Sequence, residues 1–93
     1  MILKWLPKAV FNLDAQIDYI AEHNPLAAIT QSELIEKQVD QLLEQPGMGR
    51  IGRKRGTREL VIRKTPFIVI FRVKADQIEI IRLLHSSQQC PLL

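Results

Sequence analysis

The sequence predicts an α+β fold in which an N-terminal two-helix hairpin packs on one face of a small antiparallel β-sheet, in the order β-α-α-β-β-β. Two long stretches with apolar residues spaced three and four apart come first, and three short β-rich runs follow them. At 93 residues the chain has the length of one domain with one modest core. We therefore expect residues 1–93 to form a single domain.

The first half of the chain contains both predicted helices. Residues 1–5 form a short apolar run that we expect to be a first strand at an edge of the sheet. Helical spacing begins at Pro7, which suits a first helical turn because its missing N–H would have no partner there. Asn24 then interrupts the pattern and can cap a second helix, with Pro25 as its first residue and Pro46 after its end. The short connection predicts an antiparallel helix hairpin.

Three β-rich runs follow, at residues 59–63, 67–73 and 77–84, and their short connections favour an antiparallel meander. The middle run is apolar on both alternating faces, which is typical of a central strand covered on both sides. Two helices can cover only one face, so we expect the C-terminal tail or a partner chain to shield the other. The surplus apolar side chains that we assign to a partner protein are Ile68, Ile70, Ile81 and Leu83.

Charge is divided unevenly along the chain. Residues 1–49 hold three lysines and seven acidic residues, a net charge of −4, whereas residues 50–93 hold ten basic and three acidic residues, a net charge of +7. Seven of those ten basic residues lie between Arg50 and Lys64, interleaved with glycines, and we expect a flexible connector there. The charges either keep a loop in solvent or bind an anionic target such as nucleic acid, a nucleic-acid machine or an acidic protein. The planar arginine guanidinium suits carboxylate and phosphate, which favours the second interpretation.

Several classes of function find no support in the sequence. Glycine-rich phosphate loops, the HExxH zinc motif and the GxSxG nucleophile motif are absent, and we expect no metal and no cofactor. The single cysteine, Cys90, excludes an intrachain disulfide and is expected to be an ordinary surface thiol. No apolar run approaches the roughly 18–20 residues that span a bilayer, and the N-terminus lacks the pattern of a signal peptide. We expect a cytoplasmic protein with no membrane partner.

His85 is the residue best suited to move protons, because it follows the last predicted strand and imidazole is the commonest general acid–base group in enzymes. Beside Arg63, Arg72 or Arg82 it could act as a general acid or base in RNA cleavage. The other interpretation is that His85 hydrogen-bonds a loop backbone and orders the C-terminus. The residues alone leave both interpretations open.

Four short motifs occur in a fixed order in the second half of the chain. They are PGMGRIGR from residue 46, GTRELV from residue 56, PFIVIFRV from residue 66 and LLHSSQ from residue 83. Together with Trp5 and the Asn24-Pro25 break, this order resembles the ParE branch of the RelE/ParE superfamily, which comprises toxins of bacterial type II toxin–antitoxin systems. The resemblance covers nearly the whole chain.

The resemblance implies a RelE/ParE-like fold, a cognate antitoxin that forms a hetero-oligomer with the toxin, and inhibition of DNA gyrase. The antitoxin would pair against the sheet or fill its uncovered groove. Toxins of the RelE branch place an arginine in the central strand, where this chain has Phe67-Ile68-Val69, and this chain has no tyrosine after Tyr19. We therefore expect a toxin that acts by binding, without catalytic residues. Its target-binding residues would be Arg53, Arg55, Arg58, Arg63, Arg82 and His85.

Two rival interpretations stay open. One is a RelE-like endoribonuclease that cleaves mRNA on the ribosome, with His85, Arg63 and Arg82 as its catalytic residues. The other is a DNA-binding or adaptor domain in which the basic segment grips phosphates. The second rival lacks a basic recognition helix, since the acidic residues concentrate in both predicted helices.

Overall fold

The structure is a computed structural model that describes residues 1–87, so Cys90 and the rest of the C-terminal tail lie outside the described residues. Two helices and five strands make up the described part of the chain. They are β1 (Ile2–Trp5), α1 (Pro7–His23), α2 (Pro25–Asp40), β2 (Arg50–Ile51), β3 (Arg58–Val61), β4 (Phe67–Lys74) and β5 (Gln77–His85), with a short 3-10 helix (Gln41–Leu43) after α2. The predicted fold class is confirmed, and β2 is an additional short strand.

The five strands form one sheet in the order β1-β5-β4-β3-β2. β4 is central and runs antiparallel to both β3 and β5. β1 pairs with β5 in parallel, so the sheet is mixed and not antiparallel throughout. A parallel pair needs a long connection, and here that connection contains both helices and the other three strands.

The helix hairpin forms where the sequence pattern places it. Pro7 is the first residue of α1, and Asn24 separates the two helices. The Asn24 side chain accepts a hydrogen bond of 3.1 Å from the Ala27 N–H, while its own N–H donates to the Ile20 carbonyl. Asn24 thus caps α2 and also satisfies a carbonyl at the end of α1. α2 ends at Asp40, earlier than predicted, because the chain tightens into the 3-10 helix before Pro46.

Both helices lie against one face of the sheet, which we call the helix face. The core between them excludes water almost completely and is made of aliphatic and phenylalanine side chains. Burying each such side chain contributes about 1.5–3 kcal/mol. The principal residues of this core are Ala9, Ile35, Val39, Leu42, Leu60, Ile62, Phe67, Val69, Phe71, Ile78, Ile80 and Leu83.

A β-bulge in β5 decides which side chains reach that core. Ile70 pairs with Arg82 and Phe71 pairs with Ile80, so Ile81 is an extra residue between the two pairs. Strict alternation from Ile80 would put Arg82 in the core, and the bulge puts Leu83 there instead. The assignment of Leu83 to a partner surface is therefore wrong, because its side chain is only 1% exposed.

Candidate functional site

The basic segment forms an ordered β-hairpin and not the flexible connector that its glycines predicted. β2 pairs with β3, and the Gly52 N–H donates to the Thr57 carbonyl at 2.8 Å across the hairpin loop, residues 52–57. The loop lies on the sheet face opposite the helices, which we call the loop face. Ile70 is only 1% exposed on that face, so the chain itself covers much of the apolar surface that we had assigned to the tail or a partner.

Glycines make this hairpin possible at two points. A Cβ on Gly49 would lie 2.6 Å from the Glu59 carbonyl oxygen, and the φ angle of Gly49 is +95°. A Cβ on Gly52 would meet the Thr57 hydroxyl and backbone. Side chains at either position would push the segment away from β3.

A groove of about 340 Å³ lies between the hairpin loop and the loop face of the sheet. Ile81 and the almost fully buried Ile70 contribute its apolar part, and among residues 1–87 no carboxylate lines it. We call it the cationic groove because five basic side chains surround it. These are Lys8, Lys54, Arg55, Arg72 and Arg82.

Two of the five cations are oriented by neighbours. The Arg82 Nε donates to the Asn12 side chain of α1 at 3.1 Å, and the same Asn12 oxygen accepts from the Leu83 N–H. Arg72 donates to Glu79 on the adjacent strand. That hydrogen bond, with the positive charge of Arg72, holds the pKa of the Glu79 carboxyl below its ordinary value. The cationic groove is thus partly preorganised.

The structure brings four of the six predicted target-binding residues to two adjoining cavities, the cationic groove and a smaller one. Arg55 and Arg82 line the cationic groove. Arg53 and His85 line a much smaller cavity of about 30 Å³ that shares Ile70 with the groove.

The other two predicted target-binding residues lie elsewhere. Arg63 lines a groove of about 470 Å³ beside α2, where both its backbone groups bond the Gln38 side chain. The Arg58 guanidinium donates a hydrogen bond to the Gly47 carbonyl at 2.8 Å, and this bond attaches the segment before β2 to β3.

Three cations of the groove were not among the predicted target-binding residues. They are Lys8, Lys54 and Arg72. Lys54 stood within the basic segment and could have been included, since it lies between Arg53 and Arg55. Lys8 is 46 residues from Lys54 in the sequence, so only the fold shows that it belongs there. Of the predicted partner-binding residues, Ile70 and Ile81 line the cationic groove, and Ile68 lines the small cavity beside it.

His85 has local contacts at the end of β5. Its ring lies edge-on to Phe67, with 5.7 Å between centroids, and its Nδ1 accepts a hydrogen bond from the Ser87 N–H at 3.1 Å. These contacts match the interpretation in which His85 orders the backbone after β5. Of the residues of the ribonuclease interpretation, Arg82 and His85 line adjoining cavities that share Ile70, whereas Arg63 lines the groove beside α2.

Two further findings concern residues 1–87 only. No helix there has both the length and the apolar character needed to cross a bilayer. The same residues contain no cluster of three or more His, Cys, Asp or Glu side chains that could hold a metal ion.

Comparison with known proteins gives consistent results. Residues 3–90 match the family described as "ParE toxin of type II toxin-antitoxin system, parDE". A Sinorhizobium fredii protein named "Putative toxin Y4kP" is 38% identical over 96% of this chain and 92% of its own length. Toxin RelE2 of Caulobacter vibrioides is 31% identical over 90% of this chain and 93% of its own. A solved chain of the chromosomal ParDE toxin–antitoxin system from P. aeruginosa has a TM-score of 0.83 and 35% identity, and the match covers 91% of this chain and 95% of that one.

Proposed function

This chain belongs to the ParE toxin family of type II toxin–antitoxin systems, and from that premise we propose that it inhibits DNA gyrase by binding through the cationic groove. One observation carries the proposal: five cations surround an apolar patch, and no carboxylate lines the groove within the described part of the chain. Such a groove suits a protein surface that presents acidic side chains around an apolar one. Because gyrase acts on chromosomal DNA, the proposal places this protein in the cytoplasm.

The arrangement of the remaining polar residues supports binding over catalysis. General acid–base chemistry needs its groups within hydrogen-bond reach of one reacting atom. Arg82 and His85 line adjoining cavities that share Ile70, but Arg63 lines a different groove, where Gln38 holds its backbone beside α2. A binding toxin has no need of such a cluster.

The antitoxin that the family implies would use the same groove. Ile70 and Ile81 line it, and Ile68 adjoins it in the small cavity. We propose that an antitoxin segment with acidic and apolar side chains packs on the partly exposed Ile68 and Ile81 and so excludes the target, while Ile70 is already buried by the chain itself. Antitoxin and target would then compete for one surface, in a toxin–antitoxin hetero-oligomer that leaves the helix face intact.

The test is DNA supercoiling by purified gyrase in a reaction without ribosomes. The unmodified chain should inhibit it, and the double variant Lys54→Ala/Arg55→Ala should need a concentration about tenfold higher or more. Hydrogen bonds to charged groups contribute about 1.5–3 kcal/mol each, so losing two such contacts is enough for that change. Lys37→Ala, which removes one exposed cation from α2, should behave as the unmodified chain.

A second assay addresses the rival function. One relative of this chain is named Toxin RelE2, which motivates a direct test of mRNA cleavage on ribosomes. We expect ribosome-bound mRNA to stay intact. Cleavage that is lost on replacing His85, with gyrase unaffected, would refute the gyrase proposal and favour the endoribonuclease. Inhibition of supercoiling that the groove variants leave unchanged would refute the groove as the contact surface.

A further inference from the structure

Glu59 is a buried carboxylate that the proposed target contact does not use. It lies in β3 on the loop face and is only 4% exposed. Its neighbours on the paired strands are Arg50 of β2 and Ile70 of β4. Burying a carboxylate is costly unless its oxygens accept hydrogen bonds, so the partners of Glu59 indicate what it does.

The two carboxylate oxygens of Glu59 hold two parts of the β2–β3 hairpin. Oε1 lies 3.0 Å from the Nε of Arg50 and 3.0 Å from a terminal guanidinium nitrogen of the same residue. Oε2 accepts a hydrogen bond of 3.4 Å from the backbone N–H of Arg53. Glu59 therefore ties both the strand before the hairpin loop and the first basic residue of that loop to the sheet.

Other hydrogen bonds shape the hairpin loop without attaching its tip. The Thr57 N–H and hydroxyl both donate to the Lys54 carbonyl, which closes the turn, and the Gly52 N–H donates to the Thr57 carbonyl. Among the hydrogen bonds of the described residues, the one from Arg53 to Glu59 links residues 53–56 to the sheet beneath them. Glu59 thus adds a direct attachment of the loop to the sheet, beside the β2–β3 pairing at its base, and helps to place Lys54 and Arg55 at the cationic groove.

We propose that Glu59 is a positioning residue, which fixes the hairpin loop over the sheet and so places Lys54 and Arg55 in the cationic groove. The inference rests on the proposed contact between that groove and the target. A partner then meets cations that are already in place, and less side-chain and loop entropy is lost on binding. Loss of Glu59 weakens binding although it removes no contact residue.

Backbone amide exchange tests the positioning directly. Glu59→Gln keeps the size of the side chain but replaces one acceptor oxygen by an NH₂ group. The Gly52 and Arg53 amides should exchange about tenfold faster, the size of effect expected from losing a hydrogen bond, while core amides of β4 and β5 stay unchanged. Glu79→Gln is the matched control: it alters another arginine-paired carboxylate of the same sheet and should leave the hairpin loop protected.

Gyrase inhibition tests whether the loop position matters for the target. Glu59→Gln alone should raise the inhibitory concentration several-fold. Added to Lys54→Ala/Arg55→Ala it should cause no further loss, because the side chains that Glu59 positions are already gone. Losses that add up, or loop amides that exchange at the unmodified rate, overturn the inference.

Two outcomes need separate treatment. If the unmodified chain leaves gyrase unaffected, the proposed function fails, and the exchange of the Gly52 and Arg53 amides alone decides the role of Glu59. If Glu59→Gln does not fold, Arg50→Ala replaces it, because it removes the exposed partner and keeps the buried carboxylate. Arg50→Ala should shift the same two amides in the same direction by a smaller factor, and unchanged exchange in that variant overturns the inference.

Discussion

The helix face and the loop face of this sheet are covered in different ways. On the helix face, two helices supply aliphatic side chains that pack against Val69, Phe71 and Ile80. Many apolar contacts together hold the helices on the sheet. On the loop face, a six-residue basic loop is held by a few polar contacts, chiefly those of Glu59. Apolar packing is not directional and is shared among many contacts, whereas a buried polar contact depends on each partner. Stability therefore resides mainly on the helix face, and adjustable recognition on the loop face.

Two adjacent isoleucines give the largest expected contrast between the faces. Ile80 is fully buried in the core, while Ile81 lines the cationic groove and is partly exposed. Ile80→Ala should lower the free energy of unfolding by about 2–5 kcal/mol, because it leaves a cavity in the core. Ile81→Ala should cost clearly less stability and should weaken antitoxin binding.

Chemical denaturation of both variants, followed by circular dichroism, measures this contrast. Equal losses of stability would contradict the division between the two faces. An Ile81→Ala variant that binds the antitoxin as tightly as the unmodified chain would contradict the role proposed for the groove.

An intermediate effect is expected where α2 joins the end of β3. The buried Gln38 side chain donates to the Arg63 carbonyl at 3.0 Å and accepts from the Arg63 N–H at 2.8 Å. Gln38→Ala leaves both backbone groups without that partner and should cost about 1–3 kcal/mol. Gln45→Ala, at an exposed position nearby, is the control and should change the denaturation midpoint little. A Gln38→Ala variant as stable as the control would show that water replaces the amide at no cost.

The smallest expected effect concerns acid pH. Hydrogen bonding from Arg72 lowers the pKa of Glu79 from its ordinary value of 4.5. The carboxylate therefore stabilises the folded chain above that ordinary value, and its contribution is lost as the pH falls through the lowered pKa of the folded state. Arg72 is exposed to solvent and Glu79 is partly exposed, so the effect is small and screened by salt.

Denaturation midpoints between pH 7 and pH 2, compared for the unmodified chain and Glu79→Gln, measure this contribution. The difference between the two proteins should shrink at the acid end of the range. A difference that grows as the pH falls would contradict the direction of the shift.

Local features of the structure were predictable because their causes lie within a few residues. Helical spacing, the Asn24 cap and the proline at the start of each helix required no tertiary information. The bulge at Ile81 and the parallel pairing of β1 were not predictable, since both depend on the register of strands distant in sequence. The basic segment was identified from composition, but its ordered position depends on Glu59, whose single acidic charge among seven basic ones gave no indication of burial. Lys8 joins the groove only through folding.

The bulge at Ile81 also affects how the chain tolerates changes in length. Ile81 is the extra residue that lets Arg82 lie on the loop face while Leu83 enters the core. Removing Ile81 would join Ile80 directly to Arg82 and restore strict alternation, with Arg82 still on the loop face opposite Ile70 and Leu83 still in the core. Most single substitutions at this point would only alter the shape of the groove. In a regular strand a one-residue deletion turns every later side chain to the other face, so the bulge makes β5 more tolerant of losing a residue at this point than a strand without one.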